Sequence, residues 1–522
     1  MKSSTSKKLA QVTVMILTIS VLLPVFAFAA PGFRTADTFY RDNYVTGYVY
    51  SDEPVNAQVY MYAPDGTSAG VAKTTYESVS NGVYTYRFEG ASTVARQTYL
   101  RLHEVTTSTY HDVYDSSSNR RRGGGGGGGG YTGGVSGSIL TVPSDGSIDA
   151  NTLMNLLTNY DTVELKLTGD VALIPAKALV DFVGNTSKML KIYNDKGTYN
   201  LPLSVLNLTA LQDQLSTTVD DLKIKVTIAA ASAADISGIS STALGLGATV
   251  IANAVDFGLV GIDNDGDTAE VDLGNNYVSR SIPLTKTASA ANATGVVYDP
   301  AAKQLNFVPS LISSTGENGE VLIKRNSNSV YAAIERNKEF ADANGHWAEG
   351  YIDLLGNKLV IDGMTDTTFE PERNVTRAEF AALVVRALGI DQRTASSRFS
   401  DVSSSDWYGS DVSSAVYAEI IDGYEDNTFR PNDAIKREEL AAMVIRALEY
   451  AGVEADGSSA ALTKFTDSDD IVWAQEELAA AVSSGIVDGM TDTTIGPRLQ
   501  ATRAQSAAML NRLLLKANFI NN

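Results

Sequence analysis

Guanidinium groups recur in the last third of the chain on one fixed ruler. Trp347, Trp407 and Trp473 each precede an Asp-Gly pair by 15 residues, at Asp362-Gly363, Asp422-Gly423 and Asp488-Gly489. A proline lies nine residues past each Asp (Pro371, Pro431, Pro497), and an arginine fifteen past it (Arg377, Arg437, Arg503). A second arginine follows nine residues later, at Arg386, Arg446 and Arg512. Phe-x-Asp opens each unit, at Phe340/Asp342, Phe399/Asp401 and Phe465/Asp467. Fixed spacing inside units and variable spacers between them mark a triplicated structural module.

The first arginine of each unit has the chemistry worth testing. It falls in the first turn of an expected helix, where the dipole is positive and a cation costs roughly 0.3–1 kcal/mol. Three repetitions of an unfavourable placement call for a function of the charge. Free N–H groups at a helix start, joined by a guanidinium, make an anion site. The surroundings are acidic, because residues 339–522 hold 30 Asp/Glu and 15 Lys/Arg. Any anion must therefore be held by local pockets and not by a basic field.

The elements that would position these groups follow from periodicity. After each Trp, apolar residues recur at helical spacing, as in Trp347, Ile352, Leu355 and Val360. The Asp-Gly pair is expected to stop that helix, glycine taking the left-handed conformation. A loop leads to a second helix with the stripe Phe380, Leu383, Val384 and Leu388. Thr376 with Glu379, and Thr502 with Gln505, read as capping boxes, whereas Lys436 leaves the middle repeat without a hydroxyl cap. By residue type alone the Trp, Phe and Pro positions read as packing. A helix–loop–helix pair cannot bury its own apolar face, so three should pack about a pseudo-threefold axis.

The fold class expected is multidomain α+β. Residues 1–29 read as a signal peptide: Lys2, Lys7 and Lys8 precede an apolar run ending Ala27-Phe28-Ala29-Ala30. Residues 31–115 read as a small antiparallel β-sandwich-like domain, with strands at Tyr44–Tyr50, Ala57–Tyr62, Gly82–Phe88 and Thr98–Val105. Its tyrosines read as sheet-packing aromatics. Residues 116–137, with Arg120–Arg122 and Gly123–Gly130, read as an Arg/Gly-rich flexible linker. Residues 138–337 read as a mixed α+β domain, with strands at Val163–Leu167 and Leu222–Ile228 and helices at Asn151–Thr158 and Ala176–Val183. The repeats occupy 338–396, 397–460 and 461–522 and form an all-α triplet.

Composition excludes several chemistries. The chain has 522 residues, no cysteine and a formal charge of −20. That removes thiol catalysis and zinc-thiolate sites, and it disfavours nucleic acid as a partner. The acidic run Asp263, Asp265, Asp267 has its glycine at the fourth loop position (Gly266), so the EF-hand pattern fails and a polar turn is expected; no metal or cofactor is called for. No second apolar run is long enough to span a membrane once the signal is removed.

Three segments together resemble the S-layer homology (SLH) domain of exported Gram-positive proteins, found in Paenibacillus-type surface proteins. They are Phe340–Ala348, the loop Asp362–Pro371 and Val375–Phe380. A weaker likeness covers Asn276–Arg280 and Tyr298-Asp299-Pro300, which look like sequence that precedes such triplets. The resemblance implies secretion to the cell wall and S-layer, and non-covalent docking onto pyruvylated secondary cell wall polymer on peptidoglycan. It implies ligand grooves between neighbouring repeats. The implied polymer-binding set is Asp342, Trp347, Gly363 and Arg377; Asp401, Trp407, Gly423 and Arg437; and Asp467, Trp473, Gly489 and Arg503. Lys436 and Gln505 depart from the motif, so the grooves need not be equal.

No catalytic constellation is found. The only histidines are His103, His111 and His346, and no nucleophile motif lies near them. The primary reading is a wall-anchored protein displaying residues 31–337. An anchored polysaccharide-active enzyme with carboxylates in 138–337 and a self-associating S-layer subunit are the alternatives.

Overall fold

The computed structural model describes residues 135–521 except 314–318 and 393–397. Upstream it describes the strands between 32 and 114 with residues 58, 63, 92 and 93. The expected signal peptide and linker residues 116–134 lie outside the described residues. Met1–Gly129 and Gly130–Asn522 are two separate compact units.

The described part of the first unit is antiparallel β. Its pairing follows one path: Gly32–Phe33, Tyr44–Ser51, Val83–Ala91, Ser68–Ser80, Val59–Tyr62, Tyr99–Glu104 and Thr109–Tyr114, with Phe39–Arg41 beside Tyr44–Ser51. Strand alternation sends Val45, Val59, Met61, Phe88 and Leu102 into one core. The last strand lies against the first two, so the sheet curls back on itself. The sequence reading does not include the strands Ser68–Ser80, rich in small and polar residues, and Thr109–Tyr114, where His111 and Asp112 interrupt the apolar pattern.

The second unit begins with two sheets sharing a core, one mixed and one antiparallel. One runs Ser310–Ser313, Glu320–Arg325, Val278–Pro283, Thr198–Pro202, Met189–Tyr193, Thr162–Leu167, Ile139–Val142 and Val135–Ser136. Val135–Ser136 had been assigned to the linker. The other follows the order Val171–Pro175, Lys223–Ala230, Val255–Ile262, Val330–Arg336, Ala293–Asp299 and Gln304–Phe307. Leu165, Ile192 and Tyr199 from one sheet meet Val226, Phe257 and Tyr331 from the other. Three helices accompany them: α1 (Ala150–Asn159), capped by Asp149, α2 (Leu208–Leu215) and α3 (Ala233–Gly245). The helix expected at Ala176–Val183 reduces to a single tight turn, Ala176–Ala178. Gly184, at φ +85°, ends the segment before a helix can propagate. Asp263 Oδ1 accepts the N–H groups of Asp265 and Asp267 within a hairpin turn, which accounts for that acidic run. Among the described residues no group of three or more His, Cys, Asp or Glu could hold a metal ion, and no helix is long and apolar enough to cross a membrane.

The three repeats supply helix pairs α4 (Glu349–Asn357) and α5 (Arg377–Leu388), α6 (Gly409–Tyr417) and α7 (Arg437–Tyr450), α8 (Gln475–Ser483) and α9 (Arg503–Lys516). Their contacts close in a ring. α6 packs on α5, α8 on α7 and α4 on α9, while α5, α7 and α9 touch one another. At the centre three fully buried residues exchange backbone hydrogen bonds in a circle. Val375 N–H donates to Ala501 O, Ala501 N–H to Ile435 O, and Ile435 N–H to Val375 O, at 2.9–3.0 Å.

The first helix of each repeat stops earlier than expected. The left-handed residues are Leu359 (φ 61°), Glu419 (φ 60°) and Gly485 (φ 73°), each three positions before the Asp-Gly pair. Gly363, Gly423 and Gly489 serve another need: a Cβ there would overlap the rings of Phe340, Phe399 and Phe465. Two predictions follow from these positions. Glu419→Gly, exposed and matched by Gly485, should raise stability by about 0.5–1 kcal/mol in urea unfolding, because relief of left-handed strain exceeds the added chain entropy. Gly423→Ala, strained at φ +78° and overpacked against Phe399, should cost about 1–3 kcal/mol in the same assay.

The triplet does not stand apart from the sheets. One hydrophobic core runs from Ile239, Val296, Phe307 and Ile334 into Phe340, Leu355, Phe380 and Leu388. Tyr277 Oη donates to Leu388 O (2.8 Å) at the end of α5. Lys358, fully buried, donates to Ala290 O (2.7 Å) and Ala293 O (2.9 Å). At the C-terminus, Ser310 N–H donates to Phe519 O (2.7 Å) and Ile312 N–H to Asn521 Oδ1 (2.6 Å), adding the tail to a sheet edge.

Candidate functional site

The helix starts that were to hold anions are already filled. Arg377 N–H donates to Asp433 O and Ala378 N–H to Pro431 O, both from the next repeat. Arg437 and Glu438 do the same with Leu499 O and Pro497 O, and Arg503 and Ala504 with Arg373 O and Pro371 O. The third N–H is taken by the cap hydroxyl at Thr376 and Thr502. Lys436 has no side-chain acceptor, though Glu439 Oε2 still accepts Lys436 N–H (2.9 Å). The expectation of free N–H groups there is thus corrected: the neighbouring repeat's carbonyls occupy them.

The motif arginines follow the same ring. Arg377 Nε donates to Phe429 O (2.8 Å), Arg437 Nε to Ile495 O (3.0 Å) and Arg503 Nε to Phe369 O (2.8 Å). Arg437 Nη2 also reaches Asp488 O and Arg503 Nη2 reaches Asp362 O, each at 2.8 Å. Arg377 instead pairs with the buried carboxylate of Glu439 (3.3 Å). All three are buried, and burial lowers the Arg437 pKa to about 10. A cation at the positive end of each helix is explained by the loop it ties down in the next repeat.

The leading aspartates close their own loops. Asp342 accepts Phe369 and Glu370 N–H (2.8 and 2.7 Å), Asp401 accepts Phe429 and Arg430 N–H, and Asp467 accepts Ile495 and Gly496 N–H. For Asp342 and Asp467 burial raises the pKa, but the two donors outweigh it and the net shift is downward. Both carboxylates are held ionised by a job internal to the loop.

The tryptophans behave oppositely. Trp347, Trp407 and Trp473 are 59%, 65% and 51% exposed, so the packing expected from residue type is not their role. Hydrophobic burial cannot account for three indoles left in water at one repeated position.

Between repeats two and three the structure opens a cleft of about 650 Å³. Trp473 and Val472 form one wall, the loop Asp422–Asp426 the other, and α7 contributes Met443 and Arg446. Arg446 lies 5.9 Å from the Trp473 ring and pairs with Asp422 (2.8 Å) and Glu477 (3.1 Å). Tyr424 is held between Arg377 and Arg430, at 4.8 and 3.9 Å, and donates to Glu439 (2.6 Å). Burial, then the bond to Glu439, pushes its phenol up to about 12, so it remains a donor. The cleft therefore combines an indole face, guanidinium groups and a fixed hydroxyl.

Sequence reading brought Arg377, Gly423 and Trp473 to this cleft and missed Tyr424, Arg430, Glu439 and Arg446. The signal for Arg446 was present, as the second arginine of the ruler. Its counterparts Arg386 and Arg512 pair with Asp362 and Asp488, each at 2.6 Å. Tyr424 was hidden because the matching residues are Met364 and Met490.

Residues 339–381, 398–441 and 464–507 match the S-layer homology domain. The chain thus carries three S-layer homology domains in its last third. The chain is 37% identical over 186 residues to exoglucanase XynX of Acetivibrio thermocellus, covering 35% of this chain and 17% of that protein. The cellulosome-anchoring protein of the same organism is 32% identical over 158 residues, 30% of this chain and 35% of that one. Amylopullulanase of Thermoanaerobacterium thermosulfurigenes is 30% identical over 399 residues, 74% of this chain and 19% of that protein. That alignment is longer than the SLH segment, so the likeness extends into the sheets upstream. The chain spans less than a fifth of the amylopullulanase and of XynX.

Proposed function

We propose that the SLH triplet anchors this protein to the cell wall by binding an anionic secondary wall polymer in the clefts between repeats. The upstream domains are then displayed at the cell surface. The observation that supports this most is the exposed indole beside a guanidinium in the cleft of repeats two and three. A pyranose can lie on Trp473, and a ketal carboxylate can take the place of the exposed Asp422 carboxylate at Arg446. Relatives that include a cellulosome-anchoring protein and an S-layer protein of Bacillus thuringiensis fit the same reading. Within each repeat Trp is the contact residue, while Asp342, Asp401, Asp467 and the loop glycines hold the loop in shape.

The test is co-sedimentation of the chain from Pro31 with wall sacculi. Trp473→Ala should weaken binding by about tenfold, roughly 1.4 kcal/mol, with unfolding unchanged. Sacculi stripped of the secondary polymer should not retain the protein. Equal retention on stripped peptidoglycan would refute the assigned ligand.

A further inference from the structure

A second cleft, of about 520 Å³, lies where the sheets meet the first SLH repeat and the first helix of the second. One side is the hairpin Ala293–Asp299 to Gln304–Phe307 with the turn Ser327–Ser329, and the other is the end of α5 with Ile390–Gln392 and Asp411. The weaker sequence likeness falls here: Tyr298-Asp299-Pro300 lines the cleft, and Arg280 stands behind it.

Arg280 is wholly buried between the rings of Tyr199 (4.6 Å) and Tyr331 (5.7 Å). Its Nη2 donates to Asn328 Oδ1 (2.6 Å), to which Tyr199 Oη also donates (2.9 Å). With its carbonyl consumed, Asn328 keeps its amide N–H groups for the cleft. Arg325, also buried, donates to Ser327 Oγ (2.9 Å) and crosses the seam to Asp391. Arg386 is committed to Asp362. Gln304 and Asn306 have no side-chain partner among the described residues and stand exposed at the rim. Val297, Phe307 and Ile390 supply an apolar floor.

The cleft thus offers amide donors, the acceptors of Asp299 and Asp411, and an apolar base, with both guanidinium groups already paired. Alternating donors and acceptors around an apolar surface suit the hydroxyl rim and C–H face of a sugar. Its lining has no counterpart of the Trp473–Arg446 pair, so it is not matched to the anionic polymer. We infer that the cleft joining the sheets to the first repeat is a second glycan site, which takes a neutral, hydroxyl-rich oligosaccharide held by Asn328, Gln304, Asn306 and Asp411.

The chain from Pro31 should be titrated calorimetrically with maltohexaose, cellohexaose and xylohexaose, with polygalacturonate as the anionic control. At least one neutral hexaose should bind, and Gln304→Ala with Asn306→Ala should weaken it by about tenfold. Both residues are exposed, so that pair leaves the fold intact. Trp473→Ala, which disables the wall-polymer cleft, should leave this affinity unchanged, so the two sites can fail independently. The inference is overturned if no neutral hexaose binds at millimolar concentration, or if polygalacturonate binds more tightly. It is equally overturned if the rim pair has no effect or if Trp473→Ala abolishes the binding.

Discussion

Arg437→Ala should lower the stability of the folded chain by about 3 kcal/mol, as measured by urea unfolding, and Arg503→Ala should do nearly the same. Each change strands two carbonyls that the guanidinium had satisfied, at Ile495 and Asp488 or at Phe369 and Asp362. Removing a cation from the positive end of a helix returns only ~0.3–1 kcal/mol, so the loss dominates. Wall binding should fall in step with unfolding and recover where the variant is still folded, for example in the cold or with a stabilising osmolyte. Trp473→Ala should behave in the opposite way, binding poorly while melting normally. An Arg437→Ala protein of unchanged stability that no longer sediments with sacculi would reverse these assignments.

The second large effect is a pH dependence centred on Lys358. Burial lowers its pKa from 10.5 to about 8, and two carbonyls, with no carboxylate, receive its protons. Between pH 8 and 10.5 the unfolded chain binds the proton that the folded chain has released. Stability therefore rises with pH across that window, by about 3 kcal/mol in all at about 1.4 kcal/mol per unit. Below pH 8 both states are protonated and the folded state bears the whole cost of the buried charge. Tyrosines titrate nearby, so the measurement is the difference between wild type and Lys358→Met. That difference should change by about 3 kcal/mol from pH 7.5 to 10.5, and parallel profiles would dismiss the assignment.

The repeat was legible because its punctuation is chemical. Thr376 and Thr502 cap as their hydroxyls dictate, and the apolar stripes found their core. What the sequence concealed was which neighbour each group would meet. The resemblance assigns Asp342 and Arg503 to the polymer, and in the fold both also bond to backbone groups, 27 and 134 positions away. Leu359 and Glu419 gave no sign of a left-handed turn, since tertiary packing alone forces it on them. In the sheets, the stretch Ala229–Ala252 carries neither period clearly, because alanine and serine suit both. The result was a helix followed by Ala248–Val250, with Gly247 at φ +68° between them.

The circle of hydrogen bonds among Val375, Ala501 and Ile435 bears on how such a protein can evolve. In an open solenoid each added unit docks on the last, so copy number drifts freely by duplication and loss. Here every unit offers one donor face and one acceptor face, and the third unit returns to the first. A fourth would have no seat in the circle, and two would leave both faces bare. Three is therefore a closed solution, and change is channelled into the side chains of each cleft and into whatever sequence is fused upstream.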